Sequence, residues 1–175
     1  MSITVVSYSL TGNNRALAAA VAKALSAGHV EISEEKPRKT GDIILDMILS
    51  RTPQVKPLPS VLEQYERILF IAPVWMGKAA SPLRAYFKHL RAHPQPYAFA
   101  SVSGGALNTN PKLAYDLEKR AGIKPAAFVD LHIADLLPSG RKPTMKDTSA
   151  YHLNSADISK LTGVIAASVK NAMGL

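Results

Sequence analysis

Short apolar runs alternate along the chain with stretches in which apolar residues recur at helical spacing. The apolar runs predict five strands, at residues 3–8, 29–32, 68–72, 97–103 and 126–133. The helical spacing predicts helices at about residues 15–25, 42–50, 81–90, 111–121 and 155–173. Strands that alternate with helices are typical of an α/β sandwich built on a parallel sheet.

The run at residues 68–72 is apolar throughout, which is typical of a central parallel strand covered on both faces. Residues 52–60 carry three prolines and predict a linker, and residues 135–151 predict an irregular segment. No repeat and no shift in composition divides the sequence. We therefore expect residues 1–175 to form a single domain, which is long enough to bury a substantial core.

Composition excludes several kinds of chemistry. The chain contains no cysteine, so disulfides, iron–sulfur ligation, thiolate zinc sites and cysteine nucleophiles are all excluded. We see no secretory signal and no apolar stretch long enough to cross a bilayer. These features predict a cytoplasmic protein without a membrane span.

The formal net charge of +8 is spread along the chain, with denser basic spots at residues 36–39 and 141–146. Neither spot contains an aromatic residue, and both contain proline and are predicted to be loops. This favours a solvated basic surface over a nucleic-acid interface. Attraction to an acidic protein or to a phosphorylated cofactor stays open.

Three loops that follow predicted strands are rich in Gly, Ser, Thr or Asn, at residues 9–14, 73–81 and 101–108. The carboxyl ends of parallel strands share one edge of the sheet, which is where open α/β sheets bind ligands. The first loop also opens a helix, whose unpaired backbone N–H groups attract anions. It therefore predicts a phosphate site, although Asn13 or Thr11 acting as a simple helix cap is an alternative.

The sequence resembles the flavodoxin-like family over nearly its whole length in element order. The sharpest part is similar to the family's Ser/Thr-x-Thr-Gly-x-Thr loop around the FMN phosphate, and consists of Ser9, Leu10, Thr11, Gly12, Asn13 and Asn14. Asn14 stands where the family has Thr, so an amide replaces a hydroxyl as donor. The resemblance implies a flavodoxin-like three-layer sandwich with a five-stranded parallel sheet.

The other two loops resemble the family's contacts with the isoalloxazine ring. The loop similar to the one that packs on the ring comprises Pro73, Val74, Trp75, Met76, Gly77 and Lys78. The loop that would flank its other side and its pyrimidine edge comprises Ser101, Val102, Ser103, Gly104 and Gly105. Trp75 and Met76 suit a planar ring, the glycines allow close backbone approach, and Lys78 near N1 would stabilise reduced flavin.

These features predict an FMN-binding oxidoreductase that takes electrons from NAD(P)H and passes them to a quinone or another small acceptor. No protein group is predicted as a catalytic acid or base, because the flavin carries the redox chemistry. A flavodoxin-type electron carrier for an acidic partner is an alternative, since this chain is basic and ordinary flavodoxins are acidic. A flavin-free binding domain is another. The apolar helix at residues 42–50 is expected to pack on the sheet; covering the flavin or forming a homodimer face stays open.

The remaining patterns give weaker functional indications. His89 and His93 have a spacing that can hold a metal on a helix, but the sequence offers no third ligand, so we predict no metal site. His132 near Asp135 is the one pair that would serve a hydrolase, and no nucleophile elbow accompanies it. The phosphate loop of nucleotide hydrolases and the dinucleotide-binding glycine motif are both absent.

Overall fold

The computed structural model describes residues 2–34, 46, 51–104, 110–138 and 143–175. The main sheet contains β1 (Ile3–Ser7), β2 (Gly28–Glu31), β5 (Arg67–Ile71), β8 (Tyr97–Ser103) and β9 (Phe128–His132). Two small antiparallel pairs are formed by β3 (Ser33–Glu34) with β4 (Val55–Lys56), and by β6 (Val74–Trp75) with β7 (Lys78–Ala79). The α-helices of these ranges are α1 (Asn13–Ala24), α2 (Arg84–Ala92), α3 (Leu113–Ala121), α4 (Met145–Ala150) and α5 (Ser155–Met173).

Neighbouring strands of the main sheet all pair in parallel, in the order β2-β1-β5-β8-β9. This confirms the five-stranded parallel sheet predicted from the sequence. From β1 the chain adds β2 on one side and then crosses back to add β5, β8 and β9 on the other. The strand order therefore reverses between β1 and β5, which opens a crevice at their carboxyl ends.

The central strand β5 is buried on both faces of the sheet. Ile68 and Phe70 belong to a core shared with α2 and α3, whereas Leu69 and Ile71 belong to a second core shared with α1 and α5. All four side chains are fully buried. Two apolar faces require an unbroken apolar run, which is why this strand was the clearest in the sequence.

The loop predicted at residues 73–81 contains a hairpin instead. Strands β6 and β7 pair antiparallel, with Trp75 opposite Lys78 and a two-residue turn between them. The turn residues Met76 and Gly77 both have positive φ, 49° and 73°. Such turns favour Asn or Asp before the glycine, so the Met-Gly pair gave little indication of a hairpin.

Two further segments are more ordered than the sequence predicted. The linker predicted at residues 52–60 contains β4, and a 3-10 helix begins within it (Pro59–Gln64), with proline in a favoured first position. The segment predicted to be irregular at residues 135–151 begins within a 3-10 helix (Ile133–Leu136) and contains α4. Thr144 and Asp147 form a capping box at the start of α4, in a Thr-x-x-Asp pattern that was readable in the sequence.

The helix predicted at residues 42–50 lies outside the described residues, apart from Asp46, which is helical. The basic spot at residues 36–39 and Arg141 and Lys142 of the second spot also lie outside them. Among the helices within the described ranges, none is both long enough and apolar enough to cross a membrane.

Candidate functional site

The segments that follow β1, β5 and β8 are joined by direct contacts at the carboxyl edge of the sheet. The rings of Tyr8 and Trp75 form a T-shaped pair, with centroids 5.8 Å apart and planes at 86°. Asn14, in the first turn of α1, is hydrogen-bonded to Val102 of β8. The three loops singled out in the sequence are therefore neighbours at the point where strand order reverses.

The first loop turns tightly into α1. The backbone N–H of Gly12 donates to the Ser9 hydroxyl at 3.0 Å, and Gly12 has a φ of 95°, which favours glycine. Within the described residues, the N–H groups of Asn13, Asn14 and Arg15 have no acceptor, as expected for the first turn of a helix. The exposed Thr11 hydroxyl also makes no hydrogen bond to any described residue. These free donors form a set that suits an anion.

The side chain of Asn14 is hydrogen-bonded to the backbone of Val102 in β8. Its amide nitrogen donates to the Val102 carbonyl at 2.9 Å, and its oxygen accepts from the Val102 N–H at 3.0 Å. The side chain is 4% exposed. It was expected as an amide donor to a phosphate, but its hydrogen bonds are directed at β8.

Asn13 makes an equivalent pair of bonds to a different part of the chain. Its amide nitrogen donates to the Tyr151 carbonyl at 2.9 Å, and its oxygen accepts from the Leu153 N–H at 3.0 Å. The connection between α4 and α5 is therefore attached to the first turn of α1. This segment had no assigned role in the sequence, because nothing local to it indicates its partner.

The hairpin formed by β6 and β7 presents the second set of predicted site residues. Pro73, Val74 and Trp75 are half-buried, whereas Met76 and Lys78 at the tip are exposed. Gly77 faces Asn110, since a Cβ added to it would lie 3.8 Å from the Asn110 side-chain oxygen. Trp75 therefore has one side against the protein and some surface available at the edge of the sheet.

The third loop begins with a partly buried hydrogen-bond cluster around Asp130 of β9. The Ser101 hydroxyl donates to one carboxylate oxygen at 2.6 Å, and the Asn110 amide donates to the other at 3.0 Å. The Ser101 side chain is thus occupied within the protein. Asp130 and Asn110 were not among the predicted site residues, and Gly105 lies outside the described residues.

The same cluster bears on the hydrolase alternative. His132 Nε2 lies 3.3 Å from the Asp130 carboxylate, and its Nδ1 lies 3.8 Å from Asp135. Asp130 therefore sits between Ser101 and His132, and a nucleophilic serine would need the histidine in that middle position. No Ser–His hydrogen bond links these residues in the described part of the chain.

Gly104, at the end of β8, is closely covered by α4. A Cβ added to Gly104 would lie 3.0 Å from the Thr148 hydroxyl oxygen, so a larger residue would require Thr148 to shift by a few tenths of an ångström. The Gly104 carbonyl accepts a hydrogen bond from Ala134 at 3.1 Å. Tyr151, beyond α4, donates from its hydroxyl to Asp157 at 2.7 Å, and this bond to the carboxylate raises the pKa of the phenol.

Arg15 is a further residue that the sequence analysis missed. Its guanidinium lies 3.9 Å from the Cβ position of Gly12 and 3.6 Å from the Glu31 carboxylate. Both side chains of this ion pair are about half exposed, so the pairing is weak and screened by solvent. A cationic group is therefore within reach of the first loop.

Comparison with known proteins assigns the fold. No protein-family model matches this chain, and a comparison with curated protein sequences gives no match. Solved structures do match. The chain has the flavodoxin-like fold, with the five-stranded parallel sheet and flanking helices of that class.

Two proteins illustrate the likeness. A flavoprotein from Lactobacillus acidophilus, solved in complex with FMN, has a TM-score of 0.59 and 21% identity, over 74% of this chain and 92% of its own. Its apo-form matches with a TM-score of 0.54 and 19% identity, over 77% and 94%. The flavodoxin, WrbA-like protein from Agrobacterium tumefaciens has a TM-score of 0.52 and 19% identity, over 99% of each chain. At these identities the likeness is one of fold.

Proposed function

We propose that this chain, acting as a single domain, binds FMN at the loops that follow β1, β5 and β8. The observation that carries the proposal is the set of free donors at the start of α1. Three backbone N–H groups and the Thr11 hydroxyl have no partner among the described residues, directly after the tight turn at Gly12. Such a set matches the oxygens of a terminal phosphate.

The phosphate end is assigned to Ser9, Leu10, Thr11, Gly12, Asn13 and Asn14. The Ser9 hydroxyl accepts from the Gly12 N–H, which leaves its own proton available to a ligand. Asn13 and Asn14 contribute backbone N–H groups while their side chains hold the turn in place. Arg15 adds a positive charge near the same turn.

The ring end is assigned to the hairpin and to the end of β8. Trp75 offers an aromatic surface and packs against Tyr8 in a T-shaped pair. Pro73, Val74, Met76, Gly77 and Lys78 complete this side, and Ser101, Val102, Ser103, Gly104 and Gly105 form the other. FMN, when bound, supplies the redox chemistry, and these residues orient it and tune its potential.

We further propose that the protein is an oxidoreductase that passes electrons from NAD(P)H to a quinone or another small acceptor. The FMN complex of the Lactobacillus acidophilus flavoprotein supports the cofactor, because that protein shares the fold. The net charge of +8 favours a second candidate, an electron carrier for an acidic redox partner. Both candidates need the flavin and differ in whether the protein turns over by itself.

FMN titration is the decisive experiment for the cofactor. Trp75 is the only tryptophan in the chain, so its emission reports directly on the proposed ring site. We expect saturable quenching of Trp75 emission at one FMN per chain, with parallel quenching of flavin fluorescence. Trp75→Phe provides the control, because it should retain the flavin signal while losing the protein signal. A chain that changes neither emission would be a flavin-free binding domain.

Turnover then separates the enzyme from the carrier. With FMN bound, steady consumption of NADH or NADPH in the presence of a quinone supports the oxidoreductase. The carrier is supported if NAD(P)H does not reduce the bound flavin but an acidic reductase does. That reduction should slow as salt is added, because salt screens the attraction between the two proteins.

A further inference from the structure

A histidine pair at the carboxyl-terminal end of α2 gains a third candidate ligand in the folded protein. Glu63, His89 and His93 each offer one ligand atom, and these three atoms all lie within 4.8 Å of one another. The sequence showed the spacing of the two histidines but no third ligand, because Glu63 belongs to a separate element. We propose that this cluster, here the Glu63 site, binds a divalent first-row transition metal ion, with Zn²⁺ as the ion that fits it.

One ligand-to-ligand distance within the Glu63 site is already that of a metal centre. His89 Nε2 lies 3.3 Å from a carboxylate oxygen of Glu63. Two ligands held by zinc at about 2.0–2.1 Å in a tetrahedron lie about 3.3 Å apart. The rings of His89 and His93 stack with centroids 4.7 Å apart and planes at 25°. All three ligand atoms lie within 4.8 Å of one another, so binding one ion requires them to approach each other by side-chain rotation.

The ring nitrogen of His89 is an unsatisfied group. Its Nε2 atom is buried and makes no hydrogen bond to any described residue, although the Glu63 carboxylate is at ion-pair distance. Buried polar atoms are nearly always hydrogen-bonded or bound to an ion. A metal ion between the imidazole and the carboxylate would use the lone pairs of both groups.

The backbone holds the three ligands independently of any ion. His89 lies in the last turn of α2, and the His93 N–H donates to the His89 carbonyl at 2.8 Å. Leu90, between them, is fully buried and fixes the rotation of the helix. On the other side, Gln95 donates to the Leu62 and Tyr65 carbonyls at 3.3 and 2.7 Å, which holds the turn around Glu63.

The local electrostatics favour a cation. The carboxyl-terminal end of a helix carries a partial negative charge, and the two histidines stand at that end of α2. Glu63 adds a full negative charge and is about half exposed, which leaves an open position for water. Imidazole ligands select zinc, copper or nickel, whereas magnesium and calcium prefer oxygen ligands.

The Glu63 site is separate from the proposed flavin site. Glu63 precedes β5, whereas the loops assigned to FMN follow the carboxyl ends of β1, β5 and β8. The two sites therefore lie at opposite edges of the parallel sheet. A test of metal binding needs no FMN and does not depend on the proposed redox activity.

Calorimetric titration of the chelator-treated full chain with ZnCl₂ tests the proposal. We expect one Zn²⁺ per chain and no comparable binding of Mg²⁺. His93→Ala and Glu63→Gln should each weaken binding by at least about tenfold, because losing a group that only supports a ligand already costs 10–100-fold. His152→Ala is the matched control, since His152 is exposed and lies outside the cluster, and should bind like the wild type.

A second measurement reads ligation directly. Co²⁺ bound at the Glu63 site should give visible absorption bands that are absent in His93→Ala. Circular dichroism of each variant establishes that it is folded, and His93→Gln serves if His93→Ala is not. Absence of one-to-one Zn²⁺ binding, or equal binding by the wild type and the folded His93 and Glu63 variants, would overturn the proposal.

Discussion

The side-chain amide of Asn14 pairs with the backbone of Val102 as a neighbouring strand would. Ala100 faces β5, since its carbonyl accepts from the Ala72 N–H at 3.2 Å, and Val102 faces the same side two residues later. Strand β5 has already ended at Ile71, so its next residue is not available to Val102. Asn14 supplies both missing hydrogen bonds, at 2.9 and 3.0 Å.

Removing this amide should destabilise the protein. In Asn14→Ala, the Val102 N–H and carbonyl lose their partners in a buried site, which should lower the free energy of unfolding by about 1–3 kcal/mol. Asn14→Thr should also destabilise, because both bonds to Val102 would then have to run to a single oxygen on a shorter side chain. Urea denaturation measures the effect, with Asn171→Ala at an exposed position as the control. An Asn14→Thr variant as stable as the wild type would contradict the pairing.

The role of Thr11 can be separated from that of the two asparagines. Thr11 is exposed and has no partner among the described residues, so Thr11→Val should leave stability unchanged. It should weaken FMN binding by about 10- to 100-fold, since a hydrogen bond to a charged group contributes about 1.5–3 kcal/mol. Riboflavin, which lacks the phosphate, provides the matched ligand.

The expected pattern is a loss of FMN affinity in Thr11→Val, recovery in Thr11→Ser, and unchanged riboflavin affinity in both. Equal weakening of FMN and riboflavin would place Thr11 near the ring system instead of the phosphate.

The close approach of α4 to β8 predicts a steric interaction between Gly104 and Thr148. Gly104→Ala should destabilise the protein by about 1–3 kcal/mol, because the new Cβ would lie 3.0 Å from the Thr148 hydroxyl oxygen. Thr148→Ala should relieve part of that cost, so the double variant should be more stable than the two single effects predict. Thermal denaturation of the four proteins measures the coupling.

Gly163→Ala is the comparison variant for that series. Gly163 lies in α5, where an added Cβ meets nothing within 4 Å, so the substitution should stabilise the helix slightly. Additive effects of Gly104→Ala and Thr148→Ala would show that α4 does not press on β8.

Stability should fall in alkali because of Tyr86. Burial raises its pKa from the ordinary 10.0 to about 12, and its hydroxyl donates to the Pro57 carbonyl at 2.7 Å. Between these values the folded protein keeps a proton that the unfolded chain releases, so the free energy of unfolding decreases as the pH rises from 10 to 12. The pKa of Tyr97 is also raised, mainly by burial and to a smaller extent by the nearby negative charge of Glu118.

Chemical denaturation at pH 9, 10 and 11, a series about one unit apart around the ordinary tyrosine value, measures this decline. Tyr86→Phe should reduce the slope, whereas Tyr115→Phe should not, since Tyr115 is largely exposed. Equal slopes for the two variants would show that Tyr86 ionises as readily in the folded protein as in the unfolded chain.

The parallel sheet was predictable because its strands are apolar runs that alternate with helices of clear helical spacing. Residues of β5 such as Leu69 and Phe70 must satisfy two cores, and this leaves an apolar run that is legible in sequence. The hairpin at Met76 and Gly77 was missed because a turn of two residues with positive φ is rarely built from methionine.

The composition of the candidate site was predictable, but its internal contacts were not. Gly12 and its neighbours stood out as a turn before a helix. The partners of Asn13 and Asn14 did not, because a side-chain amide bonded to distant backbone leaves no local pattern. For the same reason the sequence did not show that Glu63 lies beside His89 and His93, because the fold brings these three residues together from separate elements.

The two asparagine side chains also set an order of assembly for the first turn of α1. Their partners lie 88 residues further along for Asn14, and 138 and 140 residues further along for Asn13. Loop 9–14 is therefore secured only after β8 has joined the sheet and the connection between α4 and α5 has docked. A loop ahead of α1 is therefore completed by residues far downstream of it, and truncation before Tyr151 would leave the sheet its strands and Asn14 its partner Val102, but Asn13 without its partners.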